Sequence, residues 1–266
     1  MPRTPLRIAL STPASKRQYV RQLFGIIANR YDLITRVLSY GRDRHWKKKL
    51  AALARPGADH GAGQPEGPAL LGGVRALDLA CGTGDIAARF LAGGAQVVGL
   101  DITHRMLQLA AARLPDVPFV AADMLALPFG DRRFDVVTTG YGLRNVPDLM
   151  TAIREIARVL KPGGTLLSLD FNRPSNRLIR GVYLTYLTIV GSVLGFVLHG
   201  DPDTYRYIPE SIRRYPGAQA VREMIREAGF SSSEYIPVLG GLMAIHRATR
   251  ESPAGDTLRT SGGTSG

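Results

Sequence analysis

Cysteine is nearly missing from this chain of 266 residues: Cys81 stands alone. No intrachain disulfide framework is available, and a single thiol suits a reducing compartment. No long apolar stretch follows Arg3 and Arg7, which reads against a secretory signal. Internal repeats are lacking as well. Acid is scarce in the first fifth, where twelve Lys and Arg in residues 1–50 stand against Asp32 and Asp43 alone. That region carries most of the net charge of +12. Such an excess points to a polyanion, either an anionic membrane surface or nucleic acid. RNA is the weaker choice, because no aromatic-rich RNA-recognition module is visible. The hydrophobic content is an ordinary 45%, enough to bury a substantial core.

Residues 1–14 hold three prolines and little periodicity, and are expected to be disordered. From Tyr19 to Leu53 apolar residues recur with helical spacing, and Gly41 is expected to split this stretch into two helices. Residues 55–73 are rich in Gly and Pro and read as a flexible loop. Strands and helices then alternate. Strands are expected at Val74–Ala80, Gln96–Ile102, Pro118–Asp123, Phe134–Gly140 and Thr165–Phe171. Helices are expected at Asp85–Leu91, His104–Arg113 and Asp148–Leu160, with Lys161-Pro162-Gly163-Gly164 supplying turn chemistry after the last. The alternation argues for a mostly parallel sheet covered on both faces. Near the end, Ala218–Ala228 is helical, and Gly240-Gly241 sits between two short strands as a hairpin turn. The segment Gly181–Leu198 has no charge and is marginal in length for a membrane span. It interrupts what reads as one fold, so a buried or interfacial segment is preferred.

The chemistry clusters at strand ends. The first strand runs into LDLACGTGD, residues 77–85. Gly82, Thr83 and Gly84 there form a turn that lets a ligand approach the backbone. The same residues also match a dinucleotide pattern, so a dehydrogenase stays open at this point. Asp101 ends the second strand, where a carboxylate accepts both hydroxyls of an adenosine ribose. Asp123 and Met124 end the third and suit an adenine amino group and ring.

This series of signals, with Lys161-Pro162-Gly163-Gly164 before the fifth strand, resembles the class I S-adenosylmethionine (SAM)-dependent methyltransferases. Three further stretches narrow the resemblance. They are IANRYDLITRVLSYGRDRHW (27–46), Tyr141-Gly142-Leu143-Arg144-Asn145-Val146, and GDPDTYRYIPESIRRYP (200–216). From about residue 18 to 247 the chain is similar to the C-methyltransferases of ubiquinone and menaquinone biosynthesis, the UbiE/MenG type. Family members often carry Ser-Phe where this chain has Gly140-Tyr141, and their loop at 55–73 is usually shorter.

The resemblance implies a Rossmann-like α/β fold with a mostly parallel seven-stranded sheet and a C-terminal antiparallel hairpin. It divides the chain into a disordered basic N-terminus (1–15), one methyltransferase domain (16–250) and a disordered tail (251–266). Within the domain it implies N-terminal helices (16–54), the loop (55–73), a SAM-binding core (74–172), a substrate lid (173–216) and a closing helix and hairpin (217–250). SAM is the implied methyl donor, contacted by Asp78, Gly82, Thr83, Gly84, Asp101, Asp123, Met124 and Gly140, and no metal is required. The implied acceptor is a lipid-tailed quinol held by Tyr31, Tyr141, Tyr207 and Ser211. Arg144 is placed to stabilise a phenolate and Asn145 to orient the ring or a bound water. The general base stays open among Tyr207, Glu210, His199 and a water. Demethylmenaquinol is the favoured acceptor, with the ubiquinone-pathway benzoquinol or another small apolar phenol as alternatives. A cytoplasmic protein, peripherally bound to an anionic membrane, is expected. Nucleic acid is not an expected partner, and an oligomer is compatible.

Overall fold

A computed structural model describes residues 6–54 and 71–252. The helical N-terminal region begins earlier than its prolines suggest. Leu6–Ala9 (α1) and Pro13–Ile27 (α2) are helical, so the expected disorder of residues 1–14 fails for 6–14. Pro13 is tolerated because it sits in the first turn, where its missing N–H costs nothing. Thr12 accepts from the Ser15 amide, and the Ser15 hydroxyl accepts from the Thr12 amide. This is a capping box. A 3-10 turn at Ala28–Arg30 separates α2 from Tyr31–Leu38 (α3), and the break at Gly41 precedes Asp43–Ala52 (α4). Most of the expected loop, 55–70, and of the tail, 253–266, lies outside the described residues.

The core alternates as the sequence pattern requires. Its elements are Arg75–Leu79 (β1), Asp85–Ala92 (α5), Gln96–Asp101 (β2), His104–Arg113 (α6), Phe119–Ala121 (β3), Phe134–Gly140 (β4), Leu149–Val159 (α7) and Leu160–Phe171 (β5). Then come Arg177–His199 (α8), Tyr207–Arg214 (α9), Ala218–Glu227 (α10), Phe230–Val238 (β6) and Met243–Arg250 (β7). The seven strands lie in the order β3-β2-β1-β4-β5-β7-β6. β1 to β5 are parallel, and the β6–β7 hairpin closes the edge antiparallel. Leu77 and Leu79 of β1 face one core layer with Ile153 and Ile156 of α7 and Val221 and Ile225 of α10. Ala76 faces the other, with Ile86 and Phe90 of α5 and Trp46 and Leu50 of α4. Because β2 and β4 flank β1 on opposite sides, the chain reverses direction across the sheet there. The crevice beyond the carboxyl ends of β1 and β4 is the topological switch point, where open α/β sheets bind ligands.

One expected turn is built differently. Helix α7 ends at Val159 and the chain enters β5 at once, with Leu160 opposite Phe134 and Thr165 opposite Val136. Residues 161–164 are therefore a bulge inside the strand rather than a helix C-cap. A Cβ on Gly164 would lie 2.8 Å from the Lys161 carbonyl oxygen and 3.1 Å from that of Asp135, so only glycine fits the bulge.

His246 on β7 is buried between the hairpin and α10, and its Nε2 bonds the Ala218 carbonyl oxygen at 2.9 Å. Burial holds its pKa down to about 4, against the opposing pull of that bond. The folded chain thus keeps a neutral ring where the unfolded chain takes up a proton. Between the ordinary His value and about 4, falling pH favours the unfolded state. At about 1.4 kcal/mol per pH unit this amounts to about 3 kcal/mol. Urea titrations of the wild type and His246→Leu should diverge by that order between pH 7 and 4, the wild type losing more. Parallel curves would place the proton elsewhere.

Candidate functional site

The loop after β1 is held from both sides. The Cys81 amide donates to the Leu100 carbonyl oxygen, and the Gly84 amide to that of Cys81. The Gly82 amide donates to Asp101 Oδ2 at 3.0 Å, while the Thr103 amide donates to Asp101 Oδ1 at 2.8 Å. Asp101 thus joins the β1 turn to the start of α6. Its carboxyl is buried, and burial raises its pKa against the pull of its hydrogen-bond donors, the Thr103 and Gly82 amides first among them. A carboxylate has about four acceptor sites, and the residue lines the large cavity at the switch point.

That cavity opens to solvent, with about 680 Å³ of free space including its mouth, and its concave, largely apolar wall is of the kind small-ligand sites use. Gly82, Asp101, Asp123, Met124, Gly140, Asn145, Tyr31 and Tyr141 all reach its wall. A smaller cavity beside it shares Tyr31, Gly82, Gly140 and Tyr141, and is lined also by Asp78 and Thr83. Asp78 accepts from the Thr138 hydroxyl and the Ala87 amide, both at 3.0 Å. Burial nevertheless pushes its pKa up to about 7. The Thr83 hydroxyl donates to Asp32 Oδ1 at 2.8 Å.

Four expected site residues lie off both cavity walls. Gly84, with φ of +83°, starts α5; a Cβ there would lie 3.0 Å from Leu114. Its role is to pack the turn. Ser211 donates within α9 to the Ile208 carbonyl oxygen. Tyr207 is buried behind Asn145 and donates to its Oδ1 at 3.0 Å. Arg144 is buried and ion-paired to Asp170 at 3.0 Å, with its guanidinium over the Phe171 ring. The charge expected to meet a phenolate is already matched inside the fold. The candidate bases also lie elsewhere: His199 bonds the Tyr205 hydroxyl, and Glu210 pairs with Arg213 and Arg214.

The missed wall is helix α2. Arg17, Val20 and Phe24 line the large cavity, and Arg17 Nε pairs with Asp123 at 2.8 Å. The neighbouring Lys16 donates to the Arg144 and Val146 carbonyl oxygens, closing the helix over the 144–146 turn. The signal was the i, i+3, i+7 spacing of these three residues, which places them on one helical face. One basic residue does leave the surface: Lys47 is 5% exposed and bonds Asp43 and Asp85. Asp43 also accepts from the Tyr141 hydroxyl at 2.7 Å.

Two buried or half-buried acids at adjacent strand ends, an apolar wall with Met124 and Met106, and the glycine turn at Gly82 line one cavity in the manner of a nucleoside cradle. These residues fit SAM, with Asp101 toward the ribose and Asp123 toward the adenine. Solved structures share the architecture. A SAM-dependent methyltransferase of Thermotoga maritima aligns with a TM-score of 0.61 at 17% identity, over 87% of this chain and 99% of its own. Phosphoethanolamine N-methyltransferase 2 of Haemonchus contortus, in complex with SAM, aligns with a TM-score of 0.54 at 18% identity, over 78% of this chain and 53% of its own. The fold is that of the class I SAM-dependent methyltransferases.

Sequence comparison narrows the class. The ubiquinone/menaquinone biosynthesis C-methyltransferase UbiE of Shewanella frigidimarina is 39% identical over 243 residues, covering 87% of this chain and 90% of the relative. Its counterpart in Pseudomonas fluorescens is 39% identical over 246 residues, covering 89% and 91%. The model of the ubiE/COQ5 methyltransferase family matches residues 12–250, and the chain belongs to that family. It is a SAM-dependent C-methyltransferase of the quinone-biosynthesis type.

Proposed function

We propose that this chain methylates a ring carbon of a reduced polyprenyl quinone precursor, with demethylmenaquinol as the acceptor. The observation that carries the reading is the mixed wall of the large cavity. Asp101 and Asp123 stand on it, and Val20, Phe24, Tyr31, Tyr141, Val146 and Pro147 line it with aromatic and aliphatic surface. The Phe24 and Tyr31 rings lie 5.9 Å apart. A flat apolar ring beside a nucleoside suits that wall.

SAM supplies a methyl group already activated on a sulfonium, so the protein's task is alignment and exclusion of water. Asp101 takes the ribose hydroxyls, and Asp123, oriented by Arg17, takes the adenine amino group. Helix α2 covers the reacting end. Asn145 is the amide on the ring side, and it is fixed at both ends. Its Nδ2 donates to the Tyr141 carbonyl oxygen at 2.8 Å, and its Oδ1 accepts from Tyr207. A pre-set donor of this kind holds a quinol oxygen without reorganising during the reaction. Arg144 acts as a positioning residue, because its Nη1 donates to the same Tyr141 carbonyl.

The test is methyl transfer from SAM to demethylmenaquinol and to the 2-polyprenyl-6-methoxy-1,4-benzoquinol. Faster turnover of the naphthoquinol supports the reading, and turnover of the benzoquinol alone reverses the acceptor. Transfer to neither removes the quinol assignment. Asn145→Ala should lower kcat by about 10²-fold, the order of one lost transition-state donor, with SAM affinity nearly unchanged. A kcat within twofold of wild type would remove Asn145 from the ring site.

A further inference from the structure

Helix α8 presents two opposite faces. At about 100° per residue, Tyr183, Leu184, Leu187, Gly191 and Gly195 fall on one side, and all are buried. The two glycines admit the following loop: a Cβ on Gly191 would lie 3.3 Å from Tyr205, and one on Gly195 2.5 Å from the Asp201 carbonyl oxygen. The helix therefore lies along the protein. On the other side Leu178, Val182, Phe196 and Val197 are 77, 65, 66 and 69% exposed, with Ile189 and Val193 between them also exposed. Helix α3 extends this apolar surface. Leu33, Val37 and Tyr40 are exposed at i, i+4 and i+7, and the Tyr40 ring stacks on Tyr186 of α8 at 5.4 Å. The Arg30 guanidinium donates to the Leu198 carbonyl oxygen at the far end of α8. A contiguous apolar face of this size on a folded domain marks an interaction surface.

We propose that this face is a docking surface for an anionic phospholipid bilayer, with α8 and α3 lying in the interface plane. The charges around this face select that occupant. Arg177 begins α8, which has no acid along its length, and Arg36 on α3, Arg42 in the following turn and Arg44 on α4 are exposed. The acid of α3, Asp32, accepts the Thr83 hydroxyl of the cofactor turn. An apolar stripe rimmed by arginine is the pattern of an interfacial amphipathic helix. A second copy on the same face would bring like-charged rims toward each other across a two-fold axis, which opposes pairing. Spanning is opposed by the buried stripe, which is already packed against the domain. Of the lysine run of α4, Lys47 is taken up in buried ion pairs, while Lys48 stays exposed. The proposal stands on this surface and not on the acceptor's identity, although a lipid-tailed quinol would give the surface a use.

The test is co-sedimentation of the whole protein with vesicles of phosphatidylcholine alone and of equal parts phosphatidylcholine and phosphatidylglycerol. The wild type should pellet with the anionic vesicles in low salt and be released by high salt. Val193→Glu combined with Phe196→Glu should cut that partitioning at least tenfold, with the melting temperature, SAM affinity and turnover of a short-tailed soluble quinol unchanged. Should that variant melt early, Arg36→Glu with Arg177→Glu provides the same loss through surface charges. A wild type that stays in the supernatant with anionic vesicles overturns the proposal, as do folded variants that pellet like the wild type. Resistance to salt and carbonate extraction would replace docking by insertion. A wild-type dimer, split by Val193→Glu with Phe196→Glu and indifferent to vesicles, would make the face a contact between copies. Vesicle binding is read without methyl transfer, so its failure is separable from failure of the quinol reading.

Discussion

Asp101→Ala should weaken SAM binding at least tenfold in calorimetry on folded protein. A hydrogen bond to a charged group is worth roughly 1.5–3 kcal/mol, and two ribose hydroxyls are expected on this carboxylate. The structure adds a second cost. Asp101 accepts from the Gly82 and Thr103 amides, so its removal leaves two buried donors unmatched and loosens the β1 turn that approaches the cofactor. Asp101→Asn separates the contributions. It keeps the size but replaces one acceptor by a donor facing an amide or a hydroxyl, so an intermediate affinity is expected. The order wild type, Asn, Ala supports the assignment. Equal SAM affinity in all three, with unchanged melting, would move the ribose to another residue.

What was legible in the sequence was local. Each of these expected cofactor residues on the wall lies at the carboxyl end of a strand whose apolar run is visible: Gly82 after β1, Asp101 at the end of β2, Asp123 after β3 and Gly140 at the end of β4. Strand order then converges them at the switch point with no further information. Long-range pairing was not legible. Arg17 counted only as one more basic residue, and its partner Asp123 lies on the far side of three strands. Lys47 looked like part of an exposed run. It is buried because Asp43 sits one helical turn before it and Asp85 opens the helix packed against α4. The bulge at 161–164 was misread for a related reason. The residues that end a helix also fit a strand interruption, and only the partner strand β4 decides between them. Ser211 was placed at the site by resemblance, but its position in α9 lets its hydroxyl bond the helix backbone instead.

Arg144 separates a pairing role from a catalytic one most sharply. Its Nη1 lies 3.0 Å from Asp170 Oδ1, its amide donates to Oδ2 at 3.1 Å, and both side chains are almost wholly buried. Arg144→Ala leaves Asp170 charged and unpaired inside the sheet end. Breaking a buried pair from one side costs about 3–5 kcal/mol, or roughly 6–20 °C in Tm for a domain of this size. Burial already raises the Asp170 pKa, and Arg144 is the largest opposing influence. Without it the carboxyl rises further above its unfolded value. The folded state then binds the extra proton, and its deficit relative to wild type narrows as pH falls. Arg144→Met with Asp170→Asn removes both charges and should recover most of the lost Tm. If Arg144 instead met the reacting ring, Arg144→Ala would lower kcat by about 10²–10³ with Tm preserved, and the double variant would regain no stability. Melting curves at two pH values, with kcat measured well below each variant's Tm, decide between the two. The ion pair predicts activity that follows the folded fraction, because Asn145 keeps its bonds to Tyr141 and Tyr207 whenever the 144–146 turn is in place.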